Sequence, residues 1–172
     1  MKRLWAPWRM EYISRGDLEN DECFLCEKQK NPENDDEDFV LYRGEHCYAL
    51  MNTYPYNNGH LMIATYRHIG DFTKLTKAEL VEMMEITRIA VSAITESMGA
   101  QGFNIGFNLG CVAGAGVVDH IHLHIVPRWG GDTNFMPVIA DTKVVSEALK
   151  ETYERLFPYF EKNNIPRGFD EV

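Results

Sequence analysis

The sequence predicts an α+β domain: a mostly antiparallel sheet with one long helix and a C-terminal helix. Three observations carry this expectation. Short apolar runs separated by turn residues follow one another from Phe39 to Thr65, as strands do. A long stretch opening at Thr76 has helical periodicity behind a capping signature. In Asp119–Arg128, His120, His122 and His124 alternate with Ile121, Leu123 and Ile125. That alternation is the period of a β-strand, so the three imidazoles leave one face while the aliphatic side chains enter the core.

The totals narrow the function classes. A chain of 172 residues is one domain, or one domain with an appendage, and 45% hydrophobic with 25% charged residues is ordinary globular composition. A net charge of −9 argues against binding a DNA or RNA backbone, although a local pocket can still receive a small anion. No stretch approaches the roughly 18 apolar residues of a membrane span, so no membrane partner is expected. Met1 to Trp8 has basic residues without a following apolar run, which is not a signal peptide, and a cytoplasmic location is expected. Without secretion, Cys23-Phe24-Leu25-Cys26 reads as metal or redox chemistry rather than a structural disulfide. Cys47 and Cys111 read as buried small apolar residues.

Taken in order, residues 1–22 form an N-terminal arm whose Trp5 and Trp8 tie it to the domain or to a neighbouring subunit. Residues 23–140 form the domain, and residues 141–172 a C-terminal helix and tail. The acidic run from Asn31 to Asp38 reads as a solvated loop. Phe39–Tyr42 and Cys47–Met51 are two strands joined through Arg43-Gly44-Glu45-His46, and His60–Thr65 is a third beyond a turn-rich loop. Thr76-Lys77-Ala78-Glu79 matches a capping box, and Leu80, Met83, Met84, Thr87, Val91, Ile94 and Met98 form an apolar stripe before Gly99. The methionines there read as core packing. Phe103–Asn108 alternates as a fourth strand, and a small-residue loop from Leu109 to Gly116 leads into the histidine strand. A second helix from Val144 to about Glu161 places Val145, Leu149, Tyr153, Leu156 and Phe160 on one face.

A strand face of histidines that merely sits in solvent is one reading. Solvent-facing strands usually carry Thr, Lys, Glu or Arg, however, and a row of groups titrating near neutrality points to chemistry. A neutral imidazole can attack phosphorus and later leave as a good nitrogen leaving group. Neighbours two residues away lie about 6–7 Å along the strand, near enough for one to fix a tautomer and another to contact the phosphate. Gly114-Ala115-Gly116 can cradle a phosphate through backbone N–H groups, and serves equally as a tight connection.

His120-Ile121-His122-Leu123-His124-Ile125-Val126 resembles the signature of the histidine triad (HIT) superfamily. Asn52, Asn58-Gly59-His60-Leu61, the helix after Thr76, and Asn108 fall in the family's order. Trp5 to Met10, Tyr54 to Asn57 and Pro127 to Phe135 resemble more specifically its bacterial diadenosine-tetraphosphate phosphorylase-like branch. The resemblance covers most of residues 4–135 and implies a HIT-like fold and nucleotidyl chemistry. By similarity, His122 is the nucleophile that takes an AMP group from a dinucleoside polyphosphate, and phosphate or water then releases ADP or AMP. His124 and His60 assist at the phosphate, Asn52 holds the ribose, and Asn108 with the backbone of Gly114, Ala115 and Gly116 lines the substrate. One departure is Val117, where several members carry a hydroxyl residue.

The same resemblance bears on the metal. Two thiolates, Cys23 and Cys26, need two more ligands for a closed structural zinc site, and His46, His60, His68 and His120 are candidates. With His60 wanted at the phosphate and His46 in a turn, His68 and His120 complete Cys2His2, an arrangement used by zinc-containing relatives that include the galactose-phosphate uridylyltransferases. Reduced, metal-free cysteines are the alternative. Arg128 and Trp129 read either as an interface pair or as groups closing on the distal nucleotide. Relatives are homodimers or larger, and exposed tryptophans at 5, 8 and 129 suit that. Cleavage of diadenosine polyphosphates leads, ahead of a phosphoramidate hydrolase and of a zinc-stabilised nucleotide-binding module without turnover. A uridylyltransferase is disfavoured because Ile121 and Leu123 stand where that group favours prolines.

Overall fold

In a computed structural model, residues 23–132 and 147–162 are described. Expectations for Trp5, Trp8, Val144 and Val145 lie outside the described residues. Helix α1 (Phe24–Lys30) precedes strands β1 (Val40–Arg43), β2 (Cys47–Met51) and β3 (Leu61–Thr65). Helix α2 (Lys77–Met98), strands β4 (Gly102–Phe107) and β5 (His122–Arg128), and helix α3 (Leu149–Lys162) follow. The five strands form one sheet in the order β1-β2-β3-β5-β4, and every neighbouring pair is antiparallel.

Register decides which side chains share a face. His122 pairs with Ala64 and His124 with Met62, whereas Leu123 pairs with Ile63 and Ile125 with Leu61. One face therefore carries the triad, and the other packs on α2 through Met83, Ile86, Ala90, Ala93 and Ile94. The expected stripe was partly misplaced: Met83 and Ile94 are buried, but Leu80 is 37% and Met84 51% exposed. Ile86, Ala90 and Ala93, one step round the helix, take the core positions instead. The start of α2 is as expected, with Thr76 and Glu79 forming a reciprocal capping box, and Gly99 ends the helix in the left-handed region at φ 63°.

Helix α1 was not expected. Its apolar contribution is Leu25, buried against Val40, Tyr48, Leu50, Met62 and Ala64 on the triad face. Tyr48 Oη donates to the Leu25 carbonyl (2.7 Å), and Arg43 donates to the Lys28 and Gln29 carbonyls near the helix C-terminus (2.9 and 3.0 Å). Such long-range anchors leave no periodic trace in so short a segment. The acidic run is correspondingly more than solvated loop: Asp35 accepts from Arg43 (2.6 Å) and Asp38 from Lys28 (3.0 Å). On the other side of the sheet, Tyr153, Leu156 and Phe160 of α3 are buried, as their spacing predicted, and Tyr153 Oη donates to the Val40 carbonyl (3.2 Å). Among the described residues, no helix is long and apolar enough to cross a membrane.

Candidate active site and metal centre

Three backbone contacts assign the protons of the triad. His122 Nδ1 lies 2.8 Å from the His120 carbonyl, which can only accept. Nδ1 is therefore the donor, and Nε2 of a neutral His122 keeps its lone pair. Burial pushes the His122 pKa below its ordinary value, and the bond to the His120 carbonyl opposes that shift without reversing it. The residue is 7% exposed, so the lone-pair nitrogen of a neutral imidazole, a group able to act as a nucleophile, is largely shielded from water.

His60 is fully buried at 0% exposure. Its Nδ1 accepts from the Tyr56 backbone N–H (3.0 Å), which leaves Nε2 as the donor toward His124 Nδ1 at 3.0 Å. His124 Nδ1 is thus an acceptor, and its Nε2–H points onward, 3.3 Å from the Asn108 amide. Because that proton needs an acceptor, the Asn108 carbonyl oxygen belongs at this contact, an amide orientation set by the network. Tyr56 lies over both rings, with centroids 4.6 Å from His60 and 5.5 Å from His124, and its hydroxyl is 3.5 Å from Asn108. Asn52 stands beneath the group, accepting from Tyr54 N–H (2.9 Å) with its amide nitrogen 3.4 Å from His60 Nδ1.

The structure thus gathers His60, His122, His124, Asn52 and Asn108 on one side of β5. His60 reaches this surface only behind His124. The small-residue loop is shaped by a 3-10 turn, Cys111–Ala113, with Gly114 left-handed at φ 90°. Two of its expected phosphate donors are spent on that turn, since Gly114 N–H bonds the Cys111 carbonyl and Ala115 N–H the Gly110 carbonyl. Cys47 is buried as expected, but Cys111 is exposed, because the turn projects its side chain outward. Val117 is half-buried and brings no hydroxyl to the loop.

The second cluster adjoins the first. One ligand atom from each of Cys23, Cys26, His68 and His120 lies within 4.8 Å of the other three. His120 Nδ1 is 3.3 Å from Cys23 Sγ and 3.4 Å from Cys26 Sγ, and His68 Nδ1 is 3.2 Å from Cys26 Sγ. His120 Nε2 donates to the Thr65 carbonyl (2.8 Å), so its Nδ1 lone pair faces the thiols. Burial, and then the neighbouring Cys23, push the Cys26 thiol up to about 11. Zn–S bonds of about 2.3 Å and Zn–N bonds of about 2.0–2.1 Å place tetrahedral ligand atoms under 4 Å apart, so the four donors fit zinc after a small contraction. Gly70 makes the approach possible: a Cβ there would lie 2.4 Å from the Val118 carbonyl, and Ile121 N–H bonds the Ile69 carbonyl (2.7 Å) next to His68.

Sequence reasoning missed the use of the Tyr56 backbone, and nothing in residue type signals a main-chain donor. It also took Trp129 as exposed. Trp129 is half-buried against the core, and its Nε1–H donates to the Met98 carbonyl (3.2 Å).

Comparison with known proteins adds the following. The HIT domain family matches residues 33–131. An AP-4-A phosphorylase of Mycobacterium tuberculosis is 39% identical over 157 residues, 88% of this chain and 80% of that protein. An asymmetrical bis(5'-nucleosyl)-tetraphosphatase of Schizosaccharomyces pombe is 32% identical over 93 residues, 54% of this chain and 50% of that protein. A zinc-bound histidine triad family protein from Mycobacterium smegmatis superposes with a TM-score of 0.64 at 25% identity, covering 82% of this chain and 94% of that one.

Proposed function

The chain belongs to the HIT domain family, and from that premise we propose that it cleaves diadenosine tetraphosphate by transferring AMP through His122, with phosphate as the favoured acceptor. The observation that carries this reading is the bond from His122 Nδ1–H to the His120 carbonyl, which leaves Nε2 as a buried, neutral nucleophile. In the first step Nε2 forms a bond to the α-phosphorus while the bond from that phosphorus to the bridging oxygen breaks, and ATP leaves with the electron pair. In the second step an oxygen of inorganic phosphate attacks, the P–N bond breaks, and ADP departs as the ring regains its lone pair.

His124 Nε2–H donates to a non-bridging oxygen of the phosphate as charge builds there. His60 acts through His124, fixing its tautomer and ring plane, and is a positioning residue. Asn108 shares the phosphate side with His124, Asn52 holds the ribose, and the Gly116 N–H serves the phosphate where Gly114 and Ala115 are committed to their turn. Zinc held by Cys23, Cys26, His68 and His120 supplies a structural cross-link. The 39% identity to a phosphorylase over most of both chains favours phosphate as acceptor. The similarity to a tetraphosphatase over half the chain keeps water as the second reading. We further propose that the chain works in the cytoplasm as a homodimer or larger assembly.

Products decide between the acceptors. Diadenosine tetraphosphate should give ADP and ATP when phosphate is supplied, with little turnover without it. AMP and ATP formed at the same rate with or without phosphate would establish hydrolysis. AMP binding without turnover under either condition would leave a binding module.

A further inference from the structure

Strands β3, β4 and β5, which surround the triad, carry one Lys or Arg side chain between them, that of Arg128. Alternation along β5 puts Arg128 on the same face as His122, His124 and Val126. The guanidinium folds back toward the triad: its Nη1 donates to Asn104 Oδ1 (2.9 Å), and Asn104 pairs with Val126. Nη1 thus reaches the side chain of a residue in register with Val126, which lies one pleat of about 7 Å from His124.

The group is also held in place. Nε and Nη2 donate to the two oxygens of Asp132 (2.6 and 3.1 Å). Asp132, whose side chain is 7% exposed, also accepts from Asn57 Nδ2 (2.9 Å) and from the Trp129 N–H (3.2 Å). Asn57 is buried and spans to the Pro127 carbonyl as well (2.8 Å). Fixing an arginine that is 47% exposed costs about 2 kcal/mol of rotamer entropy, which a surface charge kept for solubility need not incur. These bonds use one N–H each of Nε, Nη1 and Nη2, so two of the five donors are not taken by these contacts among the described residues.

We propose that Arg128 is a specificity-determining residue that hydrogen-bonds the distal phosphates of the leaving nucleotide. This rests on the polyphosphate-cleaving function above. A phosphoanhydride chain can span the pleat from His124 to Arg128, and the single phosphate of a mononucleotide cannot. Asp132 neutralises much of the net charge, so the contact acts through directed N–H groups. Lysine is a poor substitute, because two bonds to Asp132 and one to Asn104 would use all three of its N–H donors and leave none for a phosphate.

The test compares wild type with Arg128→Gln and Arg128→Lys, measuring kcat and KM for diadenosine tetraphosphate and Ki for AMP. Both variants should lose about 10–100-fold in kcat/KM for the tetraphosphate, mainly through KM, as expected for lost charge-assisted bonds. Ki for AMP, which lacks distal phosphates and reports an intact fold, should stay within about threefold. Equal weakening of both ligands, or no change in either, overturns the proposal. If wild type binds AMP without turning over the tetraphosphate, the catalytic function has failed. The Arg128 contact is then judged by tetraphosphate affinity in competition with AMP, where selective weakening in the variants supports it and its absence overturns it.

Discussion

In the four buried histidines, main-chain groups decide which nitrogen carries the proton. The His120 carbonyl, the Thr65 carbonyl and the Tyr56 N–H assign His122, His120 and His60 respectively, and His60 passes the choice to His124. Removing the proposed nucleophile by His122→Ala should cut turnover by about 10⁴-fold or more. His60→Ala leaves the nucleophile in place but frees the His124 ring. We expect kcat to fall by about 10²-fold while KM moves little, with partial recovery in His60→Gln, whose longer amide nitrogen can take the place of Nε2 as donor to His124. A loss in His60→Ala expressed mainly in KM would show that His60 contacts substrate instead. The residue types and spacing of this site were readable in the chain, because alternation in a strand aims every second side chain the same way. The relay was not, because Tyr56 and Thr65 set the tautomers through backbone atoms, and any residue offers those.

Helix α2 is fastened to the sheet by two acidic residues on its inner side. Glu82, 7% exposed, accepts backbone N–H bonds from Glu45, His46 and Cys47 (2.8, 2.6 and 2.7 Å), closing the turn between β1 and β2. Glu82→Ala leaves these donors unpaired and should cost about 2–4 kcal/mol in chemical denaturation; a change under about 0.5 kcal/mol would mean that water replaces the carboxylate. Glu79 joins the capping box to the Arg67 guanidinium (2.6 Å). Hydrogen bonds from Arg67, then from Thr76, hold its pKa at about 2 against an ordinary 4.5. A lowered carboxyl pKa contributes stability that is complete above the unfolded value and is lost as pH falls from about 4.5 through about 2. Melting temperature should therefore drop across that window more steeply in wild type than in Glu79→Gln, and parallel curves would refute the assignment. The capping box announced the helix from local sequence. Its inward face was harder to read, because Ala90 and Ala93 are buried while Leu80 and Met84, more hydrophobic, stay outside. Helix α1 escaped notice since tertiary anchors rather than its own periodicity hold it.

Across the molecule, the proposed metal centre ties three separate segments together: the start of α1, the turn after β3, and the residue leading into β5. His120, its proposed fourth ligand, also supplies the carbonyl bonded to His122 Nδ1, so the proposed metal and catalytic clusters share a residue. Purified protein should hold about one zinc per chain. Cys23→Ser should lose it and melt about 6–12 °C lower, the equivalent of about 3 kcal/mol at this size; unchanged melting with no zinc in wild type would leave the cysteines as reduced thiols. The central claim is that AMP passes through His122. Its most direct test is to mix the protein with diadenosine tetraphosphate without phosphate, quench rapidly in alkali, and map the adduct by mass spectrometry. One adenylyl group on His122, absent from His122→Ala and discharged to ADP by added phosphate, is the predicted result. An adduct on another residue, or turnover with no adduct at any time, would contradict it.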